Sequence, residues 1–193
     1  HGVKMVHNPL VSVIVANYNN ECYLPDCLQS ILNQSYRDIE LIVIDDYSQD
    51  RSIEILAEYS KIYSNIKTIF GFKNLGAART KHIGIERCSG KYITTLDSDD
   101  LYTDAKKIES ELNLLQRHRN ETGKDIIAFS NIVLVDENGQ LIQRVSETKP
   151  IKEGYVLPEI LTRAIMIPRD FTMKKALYHL VHGFGPSLRL YED

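Results

Sequence analysis

From Ile39 to Ile44 the chain reads Ile-Glu-Leu-Ile-Val-Ile, nearly all apolar, and it stops at Asp45-Asp46-Tyr47-Ser48-Gln49-Asp50. A strand with one wet face alternates apolar and polar residues. One this uniformly apolar has both faces covered, the condition of a parallel sheet wrapped by helices. The neighbouring runs repeat the design: Val11 to Ala16 ends at Asn17-Tyr18-Asn19-Asn20, followed by Ile66 to Phe70 and Tyr92 to Leu96. Amphipathic stretches separate them. Pro25 stands at a first helical position, with Leu24, Leu28, Ile31 and Leu32 forming a face that runs on to Gln34. Ile53, Leu56 and Tyr59 follow a cap at Ser48 or Asp50. Ala77 to Cys88 follows the turn Asn74-Leu75-Gly76, and Gly90 is expected to end that helix as a left-handed cap. Strand-helix alternation of this kind predicts an α/β fold, a Rossmann-like, mostly parallel sheet with helices on both faces.

The second half is mixed. Behind a cap at Asp104 comes a helix carrying Ile108, Leu112 and Leu115. Ile126 to Val135 and Leu141 to Val145 read as strands flanking Asp136-Glu137-Asn138-Gly139, and Asn-Gly is a hairpin turn. Pro150 to Arg163 reads as a loop and a short helix, and Thr172 to His182 as a helix with Met173, Ala176, Leu177 and Leu180 on one face. The 193 residues suit one domain with a substantial core, residues 8–104 forming a nucleotide-binding half and 105–193 a mixed acceptor-side half.

A net charge of -3 gives no reason to expect nucleic acid, and no apolar run approaches the ~18 residues of a membrane span. No signal-like segment precedes the first strand, so the expected setting is the cytoplasm. The three cysteines, Cys22, Cys27 and Cys88, lack metal-ligand spacing and are expected to be reduced, buried thiols. His82, His118, His179 and His182 are expected to be surface or packing residues.

Ligands bind outside the carboxyl ends of strands in open parallel sheets. Those ends carry Asn17-Tyr18, Asp45-Asp46 and Asp97-Ser98-Asp99-Asp100. Three carboxylates within four residues repel one another unless a cation sits among them, and Mg²⁺ is held by one or two carboxylates with phosphate oxygens. Tyr18 offers a ring face for a base, Asp45 or Asp46 an acceptor for a base N–H, and Arg79 a guanidinium for a diphosphate. Taken singly, Tyr18 is as easily a packed rim residue, Asp46 a cap and Arg79 a solvated helix residue. Their shared placement favours a site.

The segments Val11 to Asn19, Leu32-Asn33-Gln34-Ser35-Tyr36, Val43 to Ser48, Asn74 to Arg79, Tyr92 to Asp100 and the closing Glu192-Asp193 resemble family 2 glycosyltransferases. The resemblance implies a GT-A fold and an inverting transfer from a nucleotide-diphosphate sugar, usually a UDP-sugar, assisted by Mg²⁺ or Mn²⁺. It implies Ala16, Asn17 and Tyr18 around the base, and Asp46, with Asp45, at the uracil edge. Arg79 would meet the diphosphate, Asp97 and Ser98 the ribose or sugar, and Asp99 the metal. Asp193 would be the general base, with Glu192 in reserve. A saccharide or lipid-linked saccharide would be the acceptor, and peripheral association with the inner face of a membrane would fit it. Tyr47 departs from the family, which commonly has Gly there, as does Gly185, where an acid is common. The room between Arg163 and Arg169 is short for an acceptor-side loop, and the Gln-x-x-Arg-Trp signature of processive members is absent. Two rivals remain: a non-catalytic sugar-nucleotide-binding scaffold, and a phospho-receiver domain, against which the crowding of acids from Asp97 to Asp100 speaks.

Overall fold

The computed structural model describes residues 8–136, 140–144, 154 and 170–182. Along the chain run β1 (Val11–Asn17), α1 (Leu24–Leu32), β2 (Ile39–Asp45), α2 (Ser52–Ile62), β3 (Ile66–Phe70), α3 (Ala77–Arg87), β4 (Tyr92–Asp97) and α4 (Lys107–Thr122). They are followed by β5 (Val133–Val135), β6 (Leu141–Arg144), β7 (Met173–Lys174) and a short helix, α5 (Lys175–Leu180). The main sheet has the order β3-β2-β1-β4-β7, parallel from β3 to β4, with β7 antiparallel at the edge. β5 and β6 form a separate antiparallel pair, as the hairpin signal predicts; their Asn138-Gly139 turn lies outside the described residues.

Strand residues alternate between two cores. Val11, Val13, Val15, Leu41 and Val43 pack with Leu28 and Ile31 of α1, Leu56 of α2, and Ile108 and Leu112 of α4. Ile14, Ile42, Ile44 and Ile93 face the other way, onto Ile85 of α3, Met173 and Tyr178. This double burial is what the apolar run of β2 predicts. α3 lies close enough that a Cβ on Gly84 would fall 2.5 Å from Ile44 Cδ1 and 2.6 Å from Ile14 Cγ2. Asp50 Oδ1 accepts from Ser52 N (3.0 Å) at the start of α2, and Asp104 Oδ1 from Lys106 N (2.8 Å) before α4. The N-cap positions are Arg51 and Lys106, so each expected acid sits ahead of the cap position and is not the N-cap residue itself.

The charge inside the apolar run of β2 has its own task. Glu40, 5% exposed, accepts at Oε1 from Ser12 Oγ and from the Ser89 and Gly90 amides, and at Oε2 from Lys67 Nζ (2.9 Å). One carboxylate thereby ties β1 and β3 to the turn that feeds β4. Burial pushes its pKa up, but the hydrogen bonds from Ser12, Lys67 and Ser89 outweigh it and hold the group below its ordinary value.

Four expectations are corrected. Gly90 is not a left-handed cap: α3 ends on an extended Cys88, and the described glycines with positive φ are Gly76, Gly123 and Gly154. Gly90 is small because a Cβ there would lie 2.7 Å from Ser12 N and 2.8 Å from Tyr92 O. The helix expected over Thr172 to His182 shrinks to α5, because Met173 and Lys174 pair with Ile93 and Tyr92 and cover the open edge of β4. Tyr178 is buried there, while Ala176 and Leu180 are exposed. Of the strand expected from Ile126, only Val133–Val135 forms, with Ala128 making an isolated bridge to Thr172. All three thiols are free, Cys27 and Cys88 buried, but Cys22 is exposed, since it lies in the turn before α1 rather than on its inner face. The loop and helix expected over Pro150 to Arg163, the stretch from Ala164 to Arg169 and the tail from Gly183 lie outside the described residues, apart from Gly154.

Candidate functional site

The carboxyl ends of β1, β2 and β4 open onto one cleft of about 490 Å³. It is lined by Ala16, Asn17, Tyr18, Asn20, Asp46, Asn74, Gly76, Ala77 and the run Asp97 to Asp100. In-register parallel pairing, Asn17 opposite Asp45 and Ala16 opposite Asp97, brings these segments side by side.

The loops after β1 and β2 are stitched together. Asp45, 1% exposed, accepts from Asn17 Nδ2 (2.8 Å) and from the Ser48 amide (2.9 Å). Ser48 Oγ accepts in turn from Asn19 N (2.9 Å). Asp45 is therefore spent on holding the loops, and it does not line the cleft. Asp46 does line it, and its carboxylate accepts from Leu75 N and Gly76 N, each at 2.8 Å. That fastens the turn before α3 to the end of β2. A carboxylate has about four acceptor positions, so Asp46 retains capacity toward a ligand.

At the end of β4, Asp97 is half-buried, Ser98 is 1% exposed, and Asp99 and Asp100 are exposed. Ser98 Oγ accepts from Asn20 Nδ2 (2.7 Å), closing the cleft between the first and last loops. Cys27 packs beneath with Sγ 3.6 Å from the Asp97 carbonyl. Burial, then the charges of Asp100, Asp99 and Asp97, pushes its thiol far above the usual range.

Arg79 is exposed on α3 and does not line the cleft. Lys81, 7% exposed and likewise absent from the cleft lining, pairs its ammonium with the Asp97 carboxylate. Two residues along a helix turn by about 200°, so Arg79 and Lys81 cannot face the same way. The signal was present in the sequence: Gly84 and Ile85 mark the buried face of α3, and Lys81 stands three and four residues before them. Asn20 was likewise missed, as one polar residue in a turn. Asp193 and Glu192 lie outside the described residues. His82 packs on Tyr178, Nδ1 to Oη 2.9 Å, as a packing histidine does.

Among the described residues no three His, Cys, Asp or Glu side chains converge as a metal cage. Asp99 and its neighbours instead offer a few exposed carboxylates beside room for a ligand, the donor set that suits a cation completed by phosphate oxygens.

Residues 12–192 match the family described as Glycosyl transferase family 2. The chain belongs to glycosyltransferase family 2. It is 42% identical over 144 residues to an uncharacterized glycosyltransferase of Haemophilus influenzae, covering 74% of this chain and 55% of that one. S. aureus TarS 1-349 in complex with UDP-GlcNAc superposes with a TM-score of 0.66 at 21% identity, over 89% of this chain and 47% of TarS. A mannosyltransferase from Pyrobaculum calidifontis, in complex with GDP-Man and Mn²⁺, gives 0.64 at 16% identity, over 94% and 49%. The fold is thus that of the GT-A family 2 enzymes, and the chain spans about half the length of these relatives. No helix among the described residues is long and apolar enough to cross a membrane.

Proposed function

We propose that the cleft binds a nucleotide-diphosphate sugar, a UDP-sugar, and that the protein transfers the sugar with inversion to a hydroxyl of a saccharide or lipid-linked saccharide. The observation that carries this is the meeting, in one cleft at the strand ends, of an exposed aromatic and several carboxylates, one of which, Asp97, is paired with the buried Lys81. Tyr18, 46% exposed, stacks on the base, with Ala16 and Asn17 beside it and Asp46 at the base edge. Lys81 takes the diphosphate role that the resemblance gave to Arg79. Asp97 and Ser98 meet the ribose or sugar.

Asp99 is the residue to hold Mg²⁺ or Mn²⁺, which when bound supplies positive charge to the diphosphate. The complexes of TarS with UDP-GlcNAc and of the mannosyltransferase with GDP-Man and Mn²⁺ support a nucleotide-sugar donor with metal. In the transfer, the acceptor oxygen bonds to the anomeric carbon as the bond from that carbon to the diphosphate oxygen breaks. The hydroxyl proton passes to the Asp193 carboxylate, and the nucleoside diphosphate leaves. The tail and the rest of the acceptor side would complete the site, and binding at the inner face of a membrane would give access to a lipid-linked acceptor.

Calorimetry with UDP, GDP and CDP, with Mn²⁺ and with EDTA, tests the reading. UDP should bind best, and only with metal; a saturating hundredfold excess should stabilise the fold by about 2.7 kcal/mol. Asp99→Ala should remove the response to EDTA, and Asp193→Asn should slow transfer by about 10²–10⁴-fold with donor binding intact. Metal-independent UDP binding, or a product that keeps the donor's anomeric configuration, would overturn it.

A further inference from the structure

From Tyr59 to Ile85 the chain carries Lys61, Lys67, Lys73, Arg79 and Lys81 and no acid, in a protein of net charge -3. Two of these cations are neutralised, Lys67 by Glu40 and Lys81 by Asp97. Lys61, Lys73 and Arg79 are exposed and make no ion pair among the described residues.

Within this stretch, Phe70-Gly71-Phe72-Lys73 forms a tip at the end of β3. Phe70 is 48% exposed, and Phe72, at 84%, is the most exposed large apolar side chain among the described residues. Neither ring belongs to a hydrophobic cluster there. The exposure is not fraying. Gly71 N donates to Asp45 O (2.7 Å), and a Cβ on Gly71 would stand 3.0 Å from that oxygen, so the base of the tip is seated on the end of β2. Beyond it, the Asp46 carboxylate holds Leu75 N and Gly76 N. Phe72, Lys73 and Asn74 are thus held out between two fixed points.

Two exposed rings beside an unpaired lysine, on a segment without acids, suit one kind of surface. Rings enter the boundary between acyl chains and headgroups, and an ammonium meets the lipid phosphates. We infer that the tip formed by residues 70–73 docks the protein on an anionic membrane. Asn74 and Gly76, next along the chain, line the cleft, so docking sets the cleft beside the bilayer. The benefit of that placement rests on the proposed reading, in which the acceptor is lipid-linked; the docking itself does not.

The test sediments the protein with vesicles of phosphatidylcholine alone and of phosphatidylcholine mixed with phosphatidylglycerol, at low and high salt. The parent should bind the mixed vesicles, less so at high salt, and scarcely bind the neutral ones. Phe72→Ser should weaken binding about tenfold or more, the loss of one buried ring. Lys73→Gln should weaken it about fivefold, the loss of one cation at an anionic surface. Lys61→Gln, before the other end of β3, should matter less than Lys73→Gln. Phe72→Ser should melt with the parent and bind UDP in Mn²⁺ with the parent's affinity by calorimetry. A parent that binds neither vesicle overturns the inference, while UDP binding decides the nucleotide reading separately. Vesicle binding that survives Phe72→Ser, or a Phe72→Ser that loses UDP instead, would also overturn it. Self-association abolished by Phe72→Ser, without vesicle binding, would assign the tip to contacts between copies of the chain and end the proposal. A parent that binds mixed vesicles but no UDP would keep the tip and remove the nucleotide reading.

Discussion

Lys81 on α3 and Asp97 at the end of β4 form an ion pair with side chains 9% and 20% exposed. The lysine balances part of the acid cluster from below, and its partner lines the cleft.

Exchange of these two residues with their neighbours gives the first prediction. Charge-assisted hydrogen bonds contribute about 1.5–3 kcal/mol, so Lys81→Met should weaken UDP by about ten- to a hundredfold. Arg79→Ala, on the opposite face of α3, should leave UDP affinity within twofold, roughly the ±0.5 kcal/mol range of surface changes. Lys81→Arg keeps the charge and should bind UDP better than Lys81→Met, which separates lost charge from lost folding. Calorimetry decides, and a larger effect at Arg79 than at Lys81 would reverse the assignment.

Glu40 gives stability a pH dependence of known sign. Its folded pKa lies below its ordinary value, so its contribution is complete above the ordinary glutamate range and is lost as pH falls through the folded value. Glu40→Gln should cost about 1–3 kcal/mol at neutral pH, since the amide cannot serve Lys67 and the Ser89 and Gly90 amides alike. Denaturant unfolding at pH 7 and pH 3 should show the gap between parent and variant closing in acid. A gap that is constant with pH would assign the effect to shape and not to charge.

The thiols offer a test of burial. Cys22 is exposed, while Cys27 and Cys88 are buried and burial pushes the Cys27 thiol up. Thiolate is the reactive form. Maleimide at pH 8 should therefore label Cys22 in the native protein and the other two only in denaturant, as read by mass spectrometry. Native labelling of Cys27 would show that the floor beneath Asp97 opens.

Much of the site was visible before folding, because it is built from chain segments at strand ends. Tyr18, Asp46, Asp97, Ser98 and Asp99 fall on the cleft since each directly follows or ends an apolar run whose limits are local. Asp45 and Asp46, adjacent in sequence, could not be told apart that way. One turns inward to Asn17 and Ser48, the other lines the cleft and holds Leu75 and Gly76. The short β7 was hidden for another reason: its helical periodicity is real, but an open strand edge offered hydrogen bonds to Met173 and Lys174.

By itself, then, the order of residues determined the α/β alternation, the parallel sheet and the sheet edge where acids gather. Those features follow from periodicity and from the contrast between apolar runs and their polar ends, which act over a few residues. Only the tertiary structure decided that Lys81 meets Asp97, that Glu40 binds the turn before β4, and that Tyr47 is held at positive φ. Each depends on which face of an element its distant neighbours cover, and that is settled when the layers pack.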